Sequence, residues 1–73
     1  MNNTATQTAS VLLKIHHLTG SAWRVEMLSL RGVSLGNLVD VLDCAQEHVT
    51  ARAESLAAER GMTVLATTIA LGM

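Results

Sequence analysis

In two short runs, Val11–Ile15 and Trp23–Met27, apolar residues recur at every second position. That alternation constrains the chain more than any other feature, because a period of two is the signature of a half-buried β-strand. Val11, Leu13 and Ile15 alternate with Lys14 and His16, and His17 continues the apolar parity. Trp23, Val25 and Met27 alternate with Arg24 and Glu26. Thr19, Gly20 and Ser21 lie between the two runs and carry turn chemistry. A three-residue loop there places Leu18 opposite Ala22, His17 opposite Trp23, Ile15 opposite Val25 and Leu13 opposite Met27. On the other side His16 meets Arg24, and Lys14 meets Glu26 as an opposite-charge pair. A one-residue slip would mix the faces.

After Arg31-Gly32-Val33 the period changes. Leu35, Leu38, Leu42, Ala45, Val49, Ala53 and Leu56 step by three or four, which predicts one helical stripe through Ser34–Arg60. Ser34 is then the N-cap and Gly61 the C′ stop. Asn37, Asp40, Asp43, Glu47, Glu54 and Glu59 fall mostly off the stripe, and the acidic first half suits the macrodipole. Thr63 to Leu71 is rich in β-branched residues and has apolar side chains on both parities. It reads as a third strand with both faces at least partly covered, the alternative being a short second helix.

The expected fold is therefore α+β, of order β-β-α-β. A small three-stranded antiparallel sheet carries one long helix packed on one face. The last strand lies beside the first in order 2-1-3; order 1-2-3 would make the last pair parallel. Residues 1–10, MNNTATQTAS, read as a flexible polar N-terminal tail, and 11–73 as one small α+β domain. The tail has neither a basic residue nor an apolar block, so no secretory signal is expected there. No run reaches the length of a membrane-spanning helix, so no membrane partner is expected and a cytoplasmic location is the default.

Composition bounds the function. Five Lys+Arg against six Asp+Glu give a formal net charge of −1, with no long-range pull on nucleic acid or an anionic membrane. One Cys precludes an internal disulfide. With one Trp and neither Phe nor Tyr, the core is made of aliphatic residues, and 73 residues stabilise such a core poorly without help. A helix of some twenty-five residues would span roughly 37 Å, and an eight-residue strand only about 26 Å, so its end would overhang the sheet. The face away from the helix carries Leu12, Leu18, Leu28 and Leu30 around a polar strip. Both features predict self-association, as a homodimer, or a protein partner. The contact residues are expected to be those four leucines, followed by Asp40, Asp43 and Glu47 as an acidic strip on the helix. A charge strip is more often a solvated face.

Cys44 and His48 would share a helix face, with His17 as a third zinc ligand. No fourth ligand is evident and the paired motifs of structural zinc are missing, so a buried Cys beside a boundary His is the simpler account. No metal or cofactor is expected. A mid-helix Cys44 near Asp40 and Glu47 is a poor nucleophile, no Gly-rich phosphate loop is present, and so small a domain has little room for a substrate pocket. The expectation is no enzyme. Trp23 is either a core anchor or an interface hot spot. The functional expectation is a protein-binding adaptor or inhibitor, of the size that phages and other mobile elements encode. The alternative is a small nucleic-acid-binding transcriptional regulator, using Lys14, Arg24 and Arg31.

Overall fold

The computed structural model describes residues 9–70. They form β1 (Ala9–Thr19), β2 (Ala22–Leu28), β3 (Ser34–Asp43), α1 (Gln46–Glu59) and β4 (Met62–Ala70). The class is α+β, with one helix against a four-stranded sheet of order β3-β2-β1-β4. β1 begins at Ala9, inside the segment expected to be a loose tail; residues 1–8 of that segment lie outside the described residues.

The first hairpin follows from its alternation. His17 pairs with Trp23, Ile15 with Val25 and Leu13 with Met27, while Lys14 faces Glu26 and His16 faces Arg24. One pair differs from expectation. Thr19, not Leu18, meets Ala22, so Leu18 is the extra residue of an irregularity and the turn is Gly20-Ser21.

The segment read as the first half of a long helix is instead a strand. Ser34 starts β3 rather than capping a helix, and the ten residues of β3 lie beside the seven of β2. The excess is absorbed at three register shifts. Each shift inserts a residue into β3 and reverses which parity faces inward. Leu42 opposite Trp23 and Val39 opposite Val25 therefore both face the core although three positions separate them, and Leu38, 3% exposed, is itself the extra residue of the next shift. A strand with repeated bulges thus shows the three-and-four spacing of a helix. Gly36 sits at one bulge with φ of +108°, where glycine avoids the strain of a side chain.

α1 begins only at Gln46, and its fourteen residues span about 21 Å. It is shorter than β1, so the expected overhang does not exist. Its N-cap, Ala45, makes no side-chain cap. The segment before it is held otherwise: Cys44 N–H donates to Ser21 O at 2.9 Å, and the Trp23 indole N–H donates to Cys44 O at 2.9 Å. At the far end Arg60 N–H and Gly61 N–H donate to Ala57 O and Ala58 O, closing the last turn where the sequence placed the stop. Val49, Ala53 and Ala57 form the fully buried stripe of α1. Two of these are alanines, which lets the helix lie close over Val11, Leu13, Ile15 and Val25.

β4 does lie beside β1, as expected, but parallel to it. The cause is parity. Each hairpin or crossover reverses the chain, and the unforeseen β3 adds one reversal, so β4 arrives pointing the other way. A shift between Val11 and Leu12 makes Leu65 an extra residue. Val64 and Ile69 consequently both pack on the core despite opposite parities. Ala66 and Thr68, on the opposite face, are exposed, so β4 is covered on one face and not on both.

Candidate functional site

The helix packs against β4, β1 and β3, and the sheet face away from it is open. On that face Leu12 and Leu28 are direct cross-strand partners, both half-buried. Beside them Lys14 and Arg24 are exposed, and the His16 ring lies 2.8 Å (Nε2) from Glu26 Oε1. The Ser34 hydroxyl and then His16 hold the Glu26 carboxyl below its usual value, against a small opposing effect of burial. Two of the four expected leucines thus meet. Leu18, 36% exposed, lies six residues along β1 from Leu12, about 20 Å away near the Gly20-Ser21 turn. Leu30, 57% exposed, lies in the β2–β3 loop.

That loop is well held. Ser29 N–H donates to Val33 O and Gly32 N–H to Ser29 O, both at 2.8 Å. The Ser29 hydroxyl oxygen also accepts from Val33 N–H at 3.1 Å and Arg31 N–H at 3.3 Å. Leu30-Arg31-Gly32 is therefore a three-residue hairpin loop, with Gly32 at φ +87° in its left-handed position. Leu30 and Arg31 on this loop are exposed, as are Val33 just after it, at 62%, and Leu35 at the start of β3, at 54%. The helix does not cover this end. Leu35 was expected in the core stripe; it sits at the first β3 bulge and faces solvent. Val33 was expected merely to end a strand. The sequence signal for both was present in Leu-Arg-Gly between two apolar runs, which is also a hairpin pattern.

The expected acidic strip is not a strip. Asp40 and Asp43 belong to β3, and Glu47 to the first turn of α1. Asp40 accepts from Asn37 Nδ2 at 3.0 Å, and Asp43 accepts from the Ser21 hydroxyl. Glu47 lies 3.5 Å from its neighbour His48. Cys44 and His48 do not share a helix face either, since Cys44 precedes the helix and is half-buried against the core. His17 stays beside Trp23, with ring centroids 4.7 Å apart, and its Nε2 lies 2.9 Å from Gly20 O. Trp23 is 2% exposed and so is a core anchor. Among the described residues no three His, Cys, Asp or Glu side chains gather as a metal site, and no helix is long and apolar enough to cross a membrane. No protein-family model, curated protein or solved structure matches this chain.

Proposed function

We propose that this chain is a non-enzymatic protein-interaction module, an adaptor or inhibitor that docks on a partner protein through the tip of the β2–β3 hairpin. One observation carries this reading: Leu30 and Val33, on a turn fixed by four hydrogen bonds with Ser29, and Leu35, just beyond it in β3, are each more than half exposed. An ordered backbone beneath large apolar side chains lowers the cost of ordering on docking, so more of their burial appears as affinity. Arg31 among them fits a partner surface that is apolar with a carboxylate at its margin. Leu12 and Leu28 extend the contact along the open face.

The test uses the tagged full chain and extracts of its native host. A partner recovered by the wild type is purified and its affinity measured directly. Leu30→Asp with Leu35→Asp should weaken binding at least tenfold, about 1.4 kcal/mol or more, without altering the circular dichroism of the chain. Unchanged binding by this variant would refute the hairpin as the docking element. Retention on DNA or RNA that falls steeply with salt would replace the reading with nucleic-acid binding.

A further inference from the structure

The free edge of β4 differs from every other exposed part of the sheet. β4 ends the strand order, so among the described residues no further strand lies along its outer side from Ala66 to Ala70. From Ala66 to Ala70 it runs in unbroken register with Leu12 to His16 of β1, so its outer side offers a regular row of backbone N–H and C=O groups. Edges that remain single are usually blunted by charge, proline or bulges. β4 has no charged residue from Met62 to Ala70, and the chain contains no proline. Its single bulge falls before the regular run.

We propose that two copies of this chain pair through that edge, β4 against β4, antiparallel about a twofold axis at Thr68. The two four-stranded sheets then become one continuous sheet. The choice of a second copy rests on self-complementarity. A twofold axis at Thr68 sets Thr68 against Thr68, Thr67 against Ile69 and Ala66 against Ala70, with no like charges opposed and no bulky pair to clash. Thr–Thr and β-branched pairs are favourable across antiparallel strands, and an isologous contact needs one patch that fits itself. A charged peptide would find no complementary group along this strand. The helix surface above the edge also allows approach. Thr67 donates to Glu54 at 2.7 Å, which locates Glu54 over β4, and the helix neighbours on that side, Ala51 and Ala58, are small and exposed. Leu65, 57% exposed beside the run, is the large apolar side chain that the seam would shelter. This surface is separate from the hairpin tip, and neither proposal depends on the other.

Sedimentation equilibrium of the full chain over a dilution series tests it. The wild type should approach twice the chain mass. Thr68→Lys and Thr68→Glu should each be monomeric where the wild type is dimeric, and their equimolar mixture should regain the dimer mass, because Lys then faces Glu across the axis. Thr68 is exposed, and circular dichroism verifies that each variant folds. If a variant fails to fold, amide exchange on the wild type decides: alternate β4 amides should gain protection as concentration rises. A wild type monomeric at every concentration, variants that dimerise like the wild type, a mixture that stays monomeric, or β4 exchange independent of concentration would each overturn the proposal.

Discussion

β3 meets its neighbour with three extra residues, whereas β4 meets its own with one. Both are edge strands of the same sheet, yet they expose their backbones differently. The bulges of β3 turn the strand and break the row of outward hydrogen-bonding groups, and Asp40, exposed on it, adds charge. They also bring Val39 and Leu42, of opposite parity, to the same inner face, while Leu35, the extra residue of the first shift, stays exposed. β4 stays regular over its second half and carries no charge. Irregularity, in this molecule, sorts side chains and guards an edge at once; regularity leaves an edge open.

The sharpest way to break that comparison is at adjacent bulges of β3. Leu38→Ala removes a side chain 3% exposed and should cost about 2–5 kcal/mol by urea denaturation. Leu35→Ala, three residues away, should stay within about 0.5 kcal/mol. Equal losses would mean that Leu38 and Leu35 are not divided between core and solvent as described. A smaller effect is expected at Gly36. A Cβ there meets no atom within 4 Å, so Gly36→Ala tests backbone strain alone, with a cost of about 1–2 kcal/mol in the same assay. A neutral substitution would show that the bulge does not need its left-handed residue.

The smallest effect concerns the contact between the start of β3 and β2. The Ser34 hydroxyl and His16 lower the Glu26 carboxyl pKa from 4.5. A carboxyl with a lowered folded pKa contributes stability that is fully present above its unfolded value and is lost as pH falls through the folded one. The urea midpoint should therefore decline below about pH 4.5, and Glu26→Gln should lessen that decline. An identical acid profile in the variant would show that this carboxyl does not report on the β2–β3 contact.

The same contrast explains what was legible in the sequence. β1 and β2 alternate with a period of two, so their pairing can be derived from Leu13 with Met27 up to His17 with Trp23, and it fails only at Leu18, where the irregularity enters. α1 ends where Gly61 says it should, because the stop signal is local. β3 is hidden because Leu35, Leu38 and Leu42 stand at helical spacing in the sequence, continuous with the true stripe at Val49 and Ala53, and its bulges break the period of two that would have marked a strand. Two further errors descend from that one. The direction of β4 depends on counting reversals, and the acidic strip existed only if Asp40, Asp43 and Glu47 shared a helix. The open-face pair Leu12 and Leu28 was legible, since it needs only the hairpin register. Val33 and Leu35 were missed, since the hairpin signal at Leu30-Arg31-Gly32 competes with the helical spacing that follows it.

The single parallel pair in the sheet has a consequence for assembly. Each antiparallel pair is closed by a short local turn, at Gly20-Ser21 or Leu30-Arg31-Gly32, and closing so short a loop costs little entropy. The seam between β1 and β4 joins Ala9 to Met62, almost the whole described chain away. It closes the longest loop in the fold and, of all the strand pairings, raises contact order the most.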